Sequence, residues 1–271
     1  MQTEPDSDDL RYAVTDGVAV ITLHRPERMN AWTPHLETQL RQCIAQAEAD
    51  AQVRCIVLTG AGRAFCAGMD MAVLQARSEG DAAPPSSEFG GPSDADAAQR
   101  YGYLGFTDKP LIAAINGAAS GVGLCLALHC DLRYVVPGAK LSFPYARRGL
   151  VAEHGTAWLL PRLVGPMHAA ELLITGRTFT GEEAARMGLA QCLPGEDFLS
   201  DVLTRARDIA AATSPRSVRL IKRQLREARY QTLGEATRIA DREIAACRGT
   251  EDFQEGVRHF VEKRAPRFTG R

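Results

Sequence analysis

The hydrophobic positions in the first half of the chain form short runs that are typical of buried strands. Residues 18–23 alternate apolar and polar positions, and residues 54–60 and 111–117 are nearly continuous apolar runs that end in glycine. Residues 33–50 begin with a threonine cap and a proline at the first helical position, and continue with apolar residues at helical spacing. Apolar strands that alternate with helices predict an α/β fold with a largely parallel sheet covered by helices.

The pattern changes in the second half of the chain. Two further strands are predicted at 132–136 and 139–144, but from about residue 155 the apolar positions indicate helices only. Residues 78–94 lack periodicity and are rich in Gly, Pro, Ser and acid, which predicts a mobile loop. The predicted regions are an acidic N-terminal lead (1–11), an α/β core (12–195) and a helical C-terminal region (196–271).

The composition narrows the classes of protein to which the chain belongs. Hydrophobic residues make up 45% of the 271 residues and charged residues 24%, as in ordinary globular proteins. The net charge of −1 provides no general field to attract nucleic acid or an anionic membrane. The apolar runs are far shorter than the ~20 residues of a membrane span, and the acidic first ten residues do not resemble a secretory signal.

The cysteines are consistent with this picture. Seven are scattered along the chain without a C-x-x-C pair, which predicts reduced thiols rather than a disulfide framework or a zinc site. We therefore expect a cytoplasmic protein with no bound metal, no nucleic-acid partner and no membrane span.

Two glycine-bearing turns, 65–70 and 116–123, follow two of the predicted strands. The second turn runs into a helix, whose first N–H groups lack helical partners and favour negative charge. Together the turns could direct two N–H groups at one oxygen and stabilise an oxyanion, each donor contributing roughly 2.7–4 kcal/mol in the transition state. Alternatively, the glycines only form tight corners between strands and helices. Their spacing matches neither a dinucleotide fingerprint nor a P-loop.

Several sequence blocks together resemble the crotonase, or enoyl-CoA hydratase/isomerase, superfamily, and they span about residues 12–268. The resemblance implies a core built as a spiral of ββα units and a helical C-terminal trimerisation region. It also implies an acyl-CoA thioester as substrate, no separate cofactor, and assembly as a homotrimer or a dimer of trimers. The blocks are HRPERMNAW (24–32), VLTGAGRAFCAGMD (57–70), KPLIAAINGAASGVG (109–123), CDLRYV (130–135) and FVEKRAPRF (260–268).

The resemblance implies roles for individual residues. The thioester oxygen would be held by the backbone N–H groups of Met69 and Val122. Many relatives have glycine at the second position; valine keeps the N–H donor but narrows the floor of the pocket. The expected CoA contacts are Arg28, the main chain from Ala67 to Asp70, Phe260 and Lys263. For Arg28 and Lys263, the alternative is a solvated surface charge.

The chain departs from the family at the two positions where its hydratases have glutamates, which are Cys125 and Tyr145 here. Hydration needs one group to activate water and another to deliver a proton, so the usual hydratase mechanism is in doubt. Tyr145 either donates its hydroxyl to the substrate or fills the volume of the missing acid. For Cys125 we expect an inert buried thiol, since no base stands at a recognisable spacing.

Glu153 is the remaining candidate for the acid/base. It stands eight residues beyond Tyr145, where the next helix is predicted to begin. Some members of the family, dienoyl-CoA isomerases among them, place a working acid at about this position. The alternative is a glutamate that only complements the helix dipole, contributing about 0.3–1 kcal/mol. Its neighbour His154 is predicted to point about 100° away, and Arg147 and Arg148 are predicted to be surface or subunit-contact charges.

These residues favour an enzyme that isomerises an enoyl-CoA, because one carboxylate suffices to move a proton between two carbons of an enolate. Hydration remains open if Glu153 and a water replace the missing pair. A catalytically silent acyl-CoA-binding protein is a second hypothesis. Hydrolysis of a CoA thioester or a C–C bond, in which His154 would take part, is a third.

Overall fold

The computed structural model describes residues 9–80, 96–97 and 99–271. Most of the predicted acidic lead, and the predicted loop from residue 81 onward, therefore lie outside the described residues. The first residue assigned to that loop, Ser78, is the last residue of a helix.

The described residues form two sheets. The larger has the strand order β1-β2-β3-β5-β7-β10 and the smaller the order β4-β6-β8-β9. The strands are β1 (Leu10–Thr15), β2 (Val18–Leu23), β3 (Cys55–Gly60), β4 (Ala64–Cys66), β5 (Leu111–Ile115), β6 (Ala118–Ser120), β7 (Leu132–Val135), β8 (Leu141–Ser142), β9 (Thr178–Phe179) and β10 (Gln191–Cys192).

Helices cover these sheets and make up most of the C-terminal region. They are α1 (Pro34–Ala49), α2 (Met71–Ser78), α3 (Gly102–Gly105), α4 (Val122–Leu128), α5 (Thr156–Thr175), α6 (Gly181–Arg186), α7 (Phe198–Ala212), α8 (Pro215–Glu227), α9 (Leu233–Cys247) and α10 (Glu251–Glu262). Short 3-10 turns lie at Pro26–Arg28, Ala146–Arg148 and Ala228–Tyr230. Among the described residues no helix is both long and apolar enough to cross a membrane.

The larger sheet is buried on both faces, which explains its continuous apolar strands. In β3, Cys55 and Val57 belong to the cluster that packs against α7, whereas Ile56 and Leu58 face the main core on the other side. β5 alternates in the same way. β2, β3, β5, β7 and β10 are parallel, and β1 is antiparallel to β2.

The smaller sheet brings the two glycine turns together. β4 and β6 pair in parallel, with Ala64 opposite Ala118 and Cys66 opposite Ala119. Parallel strands leave the sheet at the same edge, so the chain that follows β4 lies beside the chain that follows β6.

The longer predicted elements are confirmed, and the shorter ones differ. α1 begins as predicted, with the Thr33 hydroxyl accepting a hydrogen bond from the Leu36 N–H at 3.1 Å. β1 begins at Leu10, inside the predicted lead. The prediction of helices alone after residue 155 is wrong, because β9 and β10 interrupt them. Two-residue strands are too short to produce a periodic pattern.

The C-terminal helices are anchored to the core through a buried lysine. The Lys222 ammonium on α8 donates to an Asp131 carboxylate oxygen at 2.6 Å and to the Thr107 hydroxyl at 2.9 Å. A buried charge is tolerated when it is paired in this way. Large apolar side chains nevertheless stay exposed on α8, α9 and α10: Ile221, Leu225, Leu233, Ile244, Phe253, Val257, Phe260 and Val261.

Candidate active site

A cavity of about 640 Å³ opens where the two glycine turns meet the segment after β8. Four residues that the sequence singled out line it together: Met69, Val122, Tyr145 and Glu153. The remaining lining residues are Met71, Leu74, Gln75, Ser78, Gly121, Pro144, Arg148 and Leu150. The cavity is thus mostly apolar, with a few polar and charged groups at defined points.

The first turn presents the N–H group of Met69. The N–H groups of Ala67 and Asp70 donate to carbonyls of segment 29–32, at 3.0 and 2.9 Å, and residue 32 donates to the Gly68 carbonyl at 2.8 Å. Met69 is the residue between these bonds, paired with residue 32 in a parallel bridge. In a parallel bridge the bonds run to the neighbours of the paired residue, so the Met69 N–H points to the opposite side.

The second turn presents the N–H group of Val122. Gly121 precedes α4 with φ 51° and ψ −116°, a conformation that glycine adopts readily. The first backbone bond of the helix runs from the Cys125 N–H to the Gly121 carbonyl at 2.9 Å. The Val122 N–H therefore belongs to the first helical turn, whose donors have no partner within the helix.

The two turns touch through glycines. A Cβ atom on Gly123 would lie 2.2 Å from the Cys66 carbonyl oxygen, and one on Gly68 would lie 3.1 Å from the Ser120 carbonyl oxygen. The first distance is impossible for a real side chain and the second is tight. Glycine at these positions therefore allows the Met69 and Val122 segments to approach each other.

Glu153 lines the cavity from a loop rather than from a helix. The prediction that it starts a helix is wrong, since α5 begins at Thr156. His154 and Gly155 both have positive φ values, 54° and 77°, and this left-handed conformation cannot continue a right-handed helix. The Glu153 side chain is 40% exposed. Its carboxylate is thus accessible from the cavity.

His154 and Glu153 converge, although the sequence predicted that they point apart. The His154 Nε2 atom lies 3.7 Å from a Glu153 carboxylate oxygen. The imidazole also packs edge-on against the Tyr101 ring, with centroids 4.8 Å apart. The divergence expected of neighbours on a helix does not apply, because the His154 backbone is left-handed.

Cys125 and Tyr145, where the resemblance implies glutamates in hydratases, make polar contacts with residues 154–156. The Tyr145 hydroxyl lies 3.3 Å from the Thr156 hydroxyl, and the Cys125 thiol donates to the His154 carbonyl at 3.5 Å. Burial raises the pKa of the Tyr145 hydroxyl, and it raises the pKa of the Cys125 thiol to about 12. Both groups are therefore protonated at neutral pH, and a protonated buried thiol is a poor nucleophile.

The residues expected to contact CoA are spread more widely. Ala67 and Asp70 lie in the first turn, where one Asp70 carboxylate oxygen accepts from the Arg25 guanidinium at 3.2 Å. Arg28 is exposed at the end of a 3-10 turn and does not line the cavity. Phe260 and Lys263, at the end of α10, are exposed and also lie outside the cavity of their own chain.

Arg148 and Thr156 were missed as site residues. Both Arg147 and Arg148 are exposed, as the sequence predicted for surface charges, but Arg148 also lines the cavity, whereas Arg147 is turned away from it. Its guanidinium donates to the Thr175 carbonyl at 2.6 Å, whereas Arg148 lines the cavity wall. No signal in the sequence distinguishes these adjacent arginines.

The sequence that forms this site is similar to the sequences of known proteins. Residues 13–271 match the model of a protein family described as enoyl-CoA hydratase/isomerase. The chain belongs to this family. The predicted crotonase-type fold is confirmed, and the chain is an enzyme of the enoyl-CoA hydratase/isomerase family.

Two relatives of this family member match nearly its whole length. It is 34% identical to a 1,2-epoxyphenylacetyl-CoA isomerase from Escherichia coli (strain K12), over 95% of this chain and 97% of the relative. It is 37% identical to the enoyl-CoA hydratase ACTT3 of Alternaria alternata, over 93% of this chain and 83% of the relative.

A solved structure agrees with these relatives. A probable enoyl-CoA hydratase/isomerase from Mycobacterium abscessus is 38% identical, with a TM-score of 0.86 and coverage of 97% of this chain and 99% of that one. The relatives thus include an isomerase as well as hydratases, and the choice between these reactions depends on the site itself.

Proposed function

We propose that this enzyme binds an acyl-CoA thioester, stabilises its enolate with the backbone N–H groups of Met69 and Val122, and shifts a double bond with Glu153 as acid and base. The observation that supports this most strongly is the shared cavity. Two backbone donors that point away from their own strand and helix line the same cavity as one accessible carboxylate.

The chemical step needs only these groups. The Glu153 carboxylate removes a proton from the carbon between the thioester carbonyl and a β,γ double bond, and the electron pair moves onto the thioester oxygen. The two N–H groups stabilise the negative charge on that oxygen. The Glu153 carboxyl, which is open to solvent and exchanges its proton with it, then delivers a proton to the γ-carbon, which leaves an α,β double bond. CoA is part of the substrate, so the proposal includes no separate cofactor.

Tyr145 has a supporting role in this proposal. Its hydroxyl contacts Thr156 and its pKa is raised by burial, so it holds its proton at neutral pH. We assign it to filling the volume next to the reacting carbons rather than to proton transfer.

Hydration is the second candidate reaction, and the exposure of Glu153 favours it. A side chain that is 40% exposed leaves room for a water molecule beside its carboxylate. Glu153 would then activate that water, and His154, whose Nε2 atom lies 3.7 Å from the Glu153 carboxylate, would deliver a proton.

We further propose a homotrimer or a dimer of trimers, supported by the exposed apolar side chains of α8, α9 and α10. Residues on the last of these helices, Phe260 and Lys263, lie outside the cavity of their own chain. In the proposed assembly they contact CoA bound to a neighbouring copy.

Replacement of Glu153 tests the proposal. Glu153→Gln keeps the size of the side chain but cannot accept a proton, and general acid/base catalysis typically contributes 10²–10⁴-fold in rate. We expect turnover of a β,γ-enoyl-CoA to fall by about that factor, with the affinity for a saturated acyl-CoA, measured by calorimetry, unchanged. Glu196→Gln, at an exposed loop position, is the matched control. Undiminished turnover of Glu153→Gln would remove Glu153 from the mechanism.

A further inference from the structure

The cavity contains a positive charge that the proposed reaction does not use. Among its lining residues Arg148 is the one basic side chain and Glu153 the one acidic side chain. Apolar side chains, among them Met71, Leu74 and Leu150, make up much of the rest of the wall. Arg148 itself is exposed to solvent, so its guanidinium lies at the open side of the cavity.

The backbone around Arg148 is well anchored. The Arg148 and Leu150 N–H groups both donate to the Tyr145 carbonyl, at 2.9 Å each, and Gly149 closes the turn with φ 67°. The adjacent Arg147 is held on the opposite side by its bond to the Thr175 carbonyl. The turn therefore presents Arg148, and not Arg147, to the cavity.

Arg148 also lacks an anionic partner among the described residues. Other arginines pair closely: Arg100 with Glu37, Arg177 with Glu171 and Glu183, and Arg264 with Glu255. No described acidic side chain, Glu153 included, forms such an ion pair with Arg148. Its donors are thus available to a ligand.

We propose that Arg148 is a specificity-determining residue that binds a carboxylate at the far end of the acyl chain. The substrates would then be CoA thioesters of dicarboxylic acids. A guanidinium binds a carboxylate through two parallel charge-assisted hydrogen bonds, which a neutral alkyl terminus cannot form. The inference rests on the proposed acyl-CoA function and adds the chemical class of the acyl group.

Two saturated thioesters of equal chain length test this inference by binding alone. We expect calorimetry to show that the enzyme binds adipoyl-CoA about tenfold or more tightly than hexanoyl-CoA, since hydrogen bonds to charged groups are the stronger ones. Arg148→Gln should abolish the preference by weakening adipoyl-CoA binding alone. Arg148→Lys should restore part of it, because lysine keeps the charge but loses the two-pronged geometry. Arg147→Gln is the matched control and should keep the full preference.

The other outcomes each overturn the inference in a recognisable way. Equal affinity of the unmodified enzyme for both thioesters would mean that the far end of the acyl chain is not recognised. A similar loss for both thioesters in Arg148→Gln would assign Arg148 to the CoA moiety. If neither thioester binds, the proposed acyl-CoA function fails together with this inference, whereas binding without preference removes the inference alone.

Discussion

Cys125 and Tyr145 show how single residues narrow the chemistry of the site. Both stand where the resemblance places glutamates in hydratases, and both have a pKa raised by burial. Neither can exchange a proton easily at neutral pH, so neither position supplies the proton transfer that a carboxylic acid would provide there. Glu153 is then the one carboxylate among the described residues that line the cavity.

His129 provides a pH-dependent contribution to stability close to this site. Its Nε2 atom lies 3.2 Å from the His154 carbonyl, and burial lowers the pKa of its imidazole below the ordinary 6.5. Between the two pKa values the unfolded chain binds more protons than the folded one, so the free energy of unfolding falls as the pH falls. This contribution is complete above about pH 6.5 and is lost below the lowered pKa.

We therefore expect urea unfolding to show a smaller loss of stability between pH 8 and pH 5 in His129→Gln than in the unmodified enzyme. Glutamine keeps a donor for the His154 carbonyl and does not titrate. The difference between the two proteins at each pH is the relevant quantity, because other groups titrate in both. Parallel stability curves would contradict the assignment.

At the scale of elements, the site depends on the packing of the chain after β4 against the start of α4. Gly123, one residue after the proposed Val122 donor, lies directly over the Cys66 carbonyl. A side chain there would force α4 away from the first turn and separate the two N–H groups.

Gly123→Ala is therefore expected to destabilise the fold by about 1–3 kcal/mol, the usual cost of overpacking. Turnover should fall further than the unfolded fraction explains, because the two donors would no longer share one oxygen. Thermal unfolding and kcat measured on the same preparation separate these effects. Gly138→Ala is the control, since a Cβ atom there meets nothing within 4 Å. Full turnover in folded Gly123→Ala would contradict the proposed donor pair.

Some of these elements and contacts could be predicted from the sequence, and others could not. Strands such as β3 and the capped helix α1 are long enough for their apolar spacing to identify them. The pairing of the two glycine turns follows from parallel-strand logic. The convergence of Glu153 and His154 could not be predicted, because it depends on a left-handed residue that no local pattern indicated. The orientation of Arg148 depends on the distant Thr175 carbonyl that holds Arg147.

At the scale of the whole molecule, the C-terminal helices leave an apolar surface that a single chain does not cover. Val257 and Val261 on α10 are 52% and 73% exposed, and Leu233 on α9 is 85% exposed. Large exposed apolar patches typically mark interaction sites. The proposed trimer covers this surface and brings α10 to a neighbouring cavity.

Sedimentation equilibrium should accordingly give a mass of three or six chains. Val257→Glu combined with Val261→Glu places charges on the surface and should shift the mass toward one chain. It should also weaken acyl-CoA binding, because Phe260 and Lys263 would no longer reach the neighbouring copy. Val14→Glu, on the edge strand β1, is the control and should leave the mass unchanged. An unmodified enzyme that sediments as a single chain would contradict this assembly.

The most direct test of the central claim is the mass of the products formed in heavy water. A panel of saturated and unsaturated acyl-CoAs, including those with a β,γ double bond, is incubated with the enzyme and with Glu153→Gln. Proton transfer between two carbons predicts that deuterium enters the thioester without a gain of water, and that Glu153→Gln largely abolishes it. A gain of water would establish hydration instead. Unchanged masses for every thioester that measurably binds would contradict the proposed chemistry altogether.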